Sequence, residues 1–101
     1  MIRHVVALQL TSTDSTRRHE HALEAKSRLE ALGDVDPGVL AVNVHFDLGF
    51  IGSHWPLMLV VDCETTHALD NYQAHPRHQA VVTWLNSGVV SERVVVDYHV
   101  P

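Results

Sequence analysis

Residues 71–78 are Asn71-Tyr72-Gln73-Ala74-His75-Pro76-Arg77-His78, and this segment predicts two short helices that meet at a corner. Proline is poorly tolerated inside a helix but is favoured in its first turn. One helix should therefore end near Ala74, and the next should begin near Pro76. The corner holds a phenol and imidazoles, and imidazole is the side chain best suited to proton transfer near neutral pH.

The first 33 residues predict a strand followed by a helix. Residues 2–10 alternate with period two, which places His4 on the same strand face as four apolar side chains: Ile2, Val6, Leu8 and Leu10. Apolar residues then recur at helical spacing from about Ser15 to Leu32, and Gly33 is expected to stop this helix.

The remaining patterns predict three more strands and the two short helices. On the second strand, Leu40 is expected to share the apolar face with Val42, Val44 and Phe46. The predicted bounds are a strand over 39–47, an exposed loop over 48–54, a strand over 55–63, helices over about 67–72 and from 76 to about 86–88, and a last strand over 92–100.

The order β-α-β-β-α-β predicts an α+β, ferredoxin-like plait with a four-stranded antiparallel sheet. The helices of such a plait cover only one face of the sheet, yet apolar residues occur on both faces of the predicted strands, for example at 5–7, 39–41 and 94–96. An antiparallel sheet with one solvated face should alternate more cleanly. We therefore expect an identical sheet to cover the second face, in a two-fold homodimer.

Composition limits the possible partners. A chain of 101 residues with 46% hydrophobic and 19% charged residues should form one domain, over 1–101, with a packed core. The net charge of −5, with no basic cluster longer than Arg17-Arg18, argues against nucleic acid. The single Cys63 excludes an internal disulfide and a cysteine-based zinc site, and it fits a cytoplasmic setting. No signal peptide or membrane-spanning run is predicted.

Three motifs resemble those of the stress-responsive A/B barrel (Dabb) family, in the same order and spacing and over essentially the whole chain. They are Ile2-Arg3-His4-Val5-Val6, the Tyr-x-x-His-Pro-x-His block at 72–78, and Val96-Asp97-Tyr98. The resemblance implies a dimeric α+β barrel. The known catalytic members, a plant polyketide cyclase and a plant hydroxynitrile lyase, use no cofactor and rely on acid–base groups in a pocket between sheet and helices.

The resemblance also implies roles for four residues. His78 matches the general base, and Asp97 matches the acidic residue that orients it. Tyr72 matches the tyrosine that binds or polarises a substrate carbonyl, and His4 matches the first-strand histidine that lines the pocket. Such a set would suit proton abstraction beside a carbonyl, aldol-type closure, or addition and elimination.

The chain also departs from the cyclase at two pocket positions. The cyclase has a tyrosine on its first helix where the nearest residue here is Leu29, and a histidine early in its third strand where this chain has about Leu57. The substrate pocket should therefore differ, and the cyclase's own substrate is not expected.

Structural roles are an alternative for the same residues. His78 would then cap a helix, Asp97 would be its salt-bridge partner, and Tyr72 would be a half-buried core ring. His75, which precedes a proline, is expected to tie the helix corner to the backbone. A metal site is not predicted, because His75 and His78 lack the carboxylate–histidine motif of a catalytic zinc site.

Three functions follow as hypotheses. The first is a cofactor-free cyclase or lyase acting on a carbonyl-bearing, polyketide-like or aromatic small molecule. The second is a non-enzymatic, stress-responsive dimeric barrel protein whose pocket is filled by side chains. The third is a cofactor-independent monooxygenase of the related dimeric barrels, with Trp55 and Asn43 near the substrate. A ligand site needs a cavity of roughly 300 Å³ or more, which distinguishes the first from the second.

Overall fold

The computed structural model describes all of residues 1–101, and its element order confirms the predicted α+β, ferredoxin-like fold. The strands are β1 (Ile2–Leu10), β2 (Val39–Phe46), β3 (Leu57–Cys63) and β4 (Val90–His99). The helices are α1 (Ser15–Glu30), α2 (Thr66–Ala74) and α3 (Pro76–Trp84), with a 3₁₀ turn at Ala31–Asp34 and a π turn at Leu85–Val89.

The four strands form one antiparallel sheet in the order β2-β3-β1-β4. Burial alternates without a break along β1, as its period-two pattern predicts, and His4 is buried together with the apolar residues of its face. We call this the inner sheet face, because Ala25, Leu29 and Leu32 from the α1 region join the same buried core. No helix is both long enough and apolar enough to cross a bilayer.

The predicted corner between two helices is confirmed at His75-Pro76. Helix α2 ends at Ala74, and Pro76 occupies the first turn of α3. His75 has the extended backbone (φ −63°, ψ 136°) that a following proline imposes. Its ring nitrogen Nδ1 accepts a hydrogen bond from the backbone N–H of Arg77 at 3.1 Å, so the predicted structural role of His75 is also confirmed.

Four predicted details of the elements were wrong. Helix α1 ends at Glu30 and continues as a 3₁₀ turn through Gly33, which has no left-handed backbone and does not stop the helix. Leu40 is 52% exposed, because a register shift between Val39 and Ala41 breaks the alternation of β2. Strand β3 begins at Leu57, two residues late, and β4 begins at Val90, two residues early.

The other side of the sheet, which we call the outer sheet face, is uncovered in the single chain and has an apolar centre. The register aligns Val96 with Val5 and Val5 with Val60, so three valines form a row across the sheet. Val94 and Met58, on either side of Ala7, form the next row. Val96 is 56% exposed, which leaves this apolar surface open to solvent.

Gly38 is required by close packing between the turn before β2 and the start of α2. A Cβ atom at Gly38 would lie 2.5 Å from Cβ of the buried Ala68. We expect Gly38→Ala to lower the free energy of unfolding by about 1–3 kcal/mol, because such overpacking forces the backbone to shift. Urea denaturation would measure the change.

Gly33→Ala is the matched control. A Cβ at Gly33 meets no atom within 4 Å, so this substitution should leave the stability unchanged or raise it by about 0.4–1 kcal/mol. Equal stability of the two variants would contradict the close packing at Gly38.

Candidate active site

His4 and Asp97 form a side-chain pair on the inner sheet face. They are directly opposed in the register of β1 and β4, and Nδ1 of His4 lies 2.5 Å from Oδ1 of Asp97. Because a carboxylate only accepts hydrogen bonds, Nδ1 carries the proton and Nε2 of His4 is unprotonated when the ring is neutral. The His4 ring is buried, whereas the Asp97 carboxylate is 45% exposed.

His78 is held by the backbone at the helix corner. Its Nδ1 lies 3.0 Å from the carbonyl oxygen of Gln73, so Nδ1 must donate and Nε2 is left as the acceptor. The Gln73 carbonyl is free because Arg77, which an unbroken helix would pair with it, donates its N–H to His75 instead. Burial lowers the pKa of His78 below its ordinary value of 6.5, and the nearby His4 lowers it further, although the bond to Gln73 acts in the opposite direction.

Tyr72 is close to both imidazoles and is fully buried. Its ring centroid is 4.7 Å from that of His78 and 6.5 Å from that of His4. The hydroxyl has no hydrogen-bond partner, and burial raises its pKa well above the ordinary value. A buried donor without a partner is uncommon in proteins and marks a position where a ligand oxygen could bind.

A cavity of about 150 Å³ opens beside these rings, between the helices and β4. His4 and His78 both line it, and so do Gln73 and Arg93. Its remaining walls are apolar: Val6, Leu8, Leu29, Leu59, Val82, Leu85 and Val95. Tyr72 is not part of the lining, so its hydroxyl would reach a ligand only if the cavity extended past the histidine rings.

The pairing of Asp97 with His78, which the family resemblance implied, was wrong. Asp97 is bound to His4, because the two residues face each other on neighbouring strands. The orienting acceptor of His78 is the Gln73 carbonyl. The structure thus brings His4, Tyr72 and His78 together, but it assigns the two histidines separate partners.

The other sequence candidates lie apart from this cavity. Asn43 is exposed on the outer sheet face, and Trp55 lines a different cavity of about 410 Å³ near the end of β2. A third cavity, of about 350 Å³, lies beneath the loop before β3. Neither of these larger cavities contains His4, Tyr72, His78 or Asp97. No three His, Cys, Asp or Glu side chains converge as a metal site would require.

Two residues of the cavity, Gln73 and Arg93, were not identified from the sequence. Gln73 lies within the 71–78 segment, but it acts through its backbone carbonyl, which binds His78. A motif of side chains gives no signal for a backbone group. Arg93 shares a face of β4 with Asp97 by simple alternation. That signal became useful only once the register had placed Arg93 opposite Leu8, a residue of the inner face.

The family and the structural relatives agree with this architecture. The stress responsive A/B barrel domain family matches residues 2–100, and the chain therefore belongs to that family, as its motifs predicted. Comparison with curated proteins found no significant match.

Solved structures with the same fold come from several bacteria. A dimeric ferredoxin-like protein of unknown function from Bacteroides fragilis is 21% identical with a TM-score of 0.85, over 98% of this chain and 95% of that one. A Dabb family protein from Mesorhizobium loti is 25% identical with a TM-score of 0.71, over 99% and 95%. A putative antibiotic biosynthesis monooxygenase from Nitrosomonas europaea is 11% identical with a TM-score of 0.76, over 98% and 97%.

The protonation of His78 can be measured by NMR of the ring nitrogens. We expect neutral His78 to carry its proton on Nδ1 and to titrate below pH 6.5, because burial disfavours the charged ring. In His4→Gln the pKa of His78 should rise, since the electrostatic effect by which His4 lowers it is removed. Because the unfolded chain takes up the proton first, His78 should reduce stability as the pH falls below 6.5. A proton on Nε2, or a midpoint above 6.5, would contradict this geometry.

Proposed function

We propose that the protein is a cofactor-independent acid–base enzyme of the cyclase or lyase type. Its substrate would be a carbonyl-bearing, polyketide-like or aromatic small molecule bound in the cavity between the helices and β4. The observation that carries this proposal is the geometry of His78, whose Nδ1 is bound to Gln73 while the ring lines the cavity with Nε2 free. A cytoplasmic location is part of the proposal and is supported by the single buried Cys63.

The general base in this proposal is His78. Nε2 of the neutral ring takes a proton from the carbon next to the substrate carbonyl. The resulting enolate then attacks a second carbonyl of the same molecule, whose oxygen takes the proton back from His78, or it expels a leaving group that takes this proton. A lowered pKa keeps His78 in its basic form at neutral pH. The rate should therefore fall only when the pH drops below 6.5.

The other two rings would contact the substrate, and only Tyr72 would donate to its oxygen, because Nε2 of the neutral His4 ring carries no proton. His4 is fixed by Asp97, so in this proposal Asp97 is a positioning residue that acts through His4. The Tyr72 hydroxyl, which lacks a protein partner, would donate to the carbonyl oxygen and stabilise the charge that develops there. This role for Tyr72 requires the cavity to open past the His4 and His78 rings.

The homodimer through the outer sheet face is also proposed. The apolar rows of that face, with Val96 at the centre of β4, are the feature that supports it. A contiguous exposed apolar surface is typical of an interface between proteins. The description of the Bacteroides fragilis relative as dimeric agrees with this proposal.

A non-enzymatic barrel protein is the second candidate, and the size of the cavity favours it. The volume of about 150 Å³ is below the roughly 300 Å³ expected of a ligand site. A monooxygenase on the related barrels has less support, because Trp55 and Asn43 lie away from the histidines.

Exchange of α-protons for deuterium in a panel of small ketones would test the base directly. We expect His78→Ala to abolish exchange while the fold and the dimer persist, since the side chain serves proton transfer. His67→Ala is the control, because His67 is an exposed histidine of α2 outside the cavity. Loss of the fold in His78→Ala, together with no exchange by the unaltered protein, would favour the non-enzymatic candidate.

The dimer can be tested with a charge on the outer sheet face. Val96→Asp should give monomers at concentrations where the unaltered protein is dimeric, because burying an unpaired carboxylate in an apolar interface is costly. Sedimentation velocity would measure the change. Leu23→Asp places the same charge on an exposed position of α1 and should leave the dimer intact. Equal effects of both substitutions would contradict an interface at this face.

A further inference from the structure

Arg93 is the one side chain lining the histidine cavity whose positive charge does not depend on pH. It lies on the inner face of β4, opposite Leu8 of β1, and it shares the cavity with His4 and His78. No aspartate or glutamate lines this cavity. Asp97 lies four residues further along β4, and its carboxylate lines a different pocket.

The guanidinium of Arg93 has no ionic partner in the protein. Its Nη2 donates to the side-chain oxygen of Asn86, which is a neutral acceptor, and its other N–H groups have no protein partner. Four of the seven basic side chains, by contrast, are paired with carboxylates: Arg3, Lys26, Arg28 and Arg77. Arg93 therefore has donors available for a ligand, in the planar arrangement that matches a carboxylate.

We infer that Arg93 is a specificity-determining residue that binds a carboxylate group of the substrate. This inference rests on the proposed function, because the carbon next to the carbonyl of the same molecule would lie at Nε2 of His78. The substrate class is thereby narrowed to keto acids, with the anionic group towards Leu8 and the carbonyl towards the helix corner. The cavity of about 150 Å³ favours a short chain between the two groups.

The overall charge makes a local contact necessary for such a ligand. With a net charge of −5, the protein as a whole does not attract anions. An acid would therefore bind more tightly than its neutral ester only if a cation within the cavity, such as Arg93, received the carboxylate.

The test uses levulinate, a short keto acid, and its methyl ester as probes of the full-length protein. Binding is followed by the ring resonances of His4 and His78 in histidine-labelled protein. We expect levulinate to bind more tightly than the ester, and Arg93→Gln to weaken levulinate binding at least tenfold without changing the ester. Arg93→Lys should retain part of the preference, and Arg17→Gln, an exposed site on α1, should retain all of it.

The outcomes separate this inference from the proposed function. Equal binding of acid and ester, or an equal loss of both in Arg93→Gln, would overturn the role of Arg93 while leaving the carbonyl site intact. Failure of either probe to perturb the histidines would also overturn the inference. Binding of levulinate that depends on Arg93, with no proton exchange in any ketone or keto acid, would instead support carboxylate recognition and contradict catalysis.

Discussion

The helix break at His75-Pro76 is the constraint on which the candidate site depends. Proline has no N–H to donate and restricts the residue before it, so α2 must end and α3 must begin in a new direction. The break also redirects the Arg77 N–H to His75 and frees the Gln73 carbonyl, which then orients His78. A single covalent restriction thus sets the chain direction, the position of the His78 ring and its tautomer.

The second constraint on the candidate site is the pairing of β1 with β4. A histidine buried among aliphatic side chains would be costly without a hydrogen-bond partner, and the register supplies one by placing Asp97 opposite His4. The two imidazoles therefore have different supports, one from a strand side chain and one from a helix backbone. Their separate origins explain why they can approach the same cavity without competing for one acceptor.

The sequence allowed the fold to be predicted well, because each element has a local signal. The alternation along β1 and the proline in 71–78 are both patterns among residues that are close in the sequence. The errors at Leu40 and Gly33 came from a bulge and a 3₁₀ turn, which local periodicity does not encode. The partner of Asp97 was mispredicted for a related reason, since a bond between residues 93 positions apart depends on strand register.

Strand β4 belongs to both the apolar outer sheet face and the walls of the cavities on the inner face. It is an edge strand, and its residues from 91 to 99 are exposed on both faces of the sheet. On one face, Val94 and Val96 extend the apolar rows of the outer sheet face; on the other, Arg93, Val95 and Asp97 border the cavities. In a dimer built on the outer face, packing against Val94 and Val96 would restrain the same backbone that positions Arg93 and Asp97.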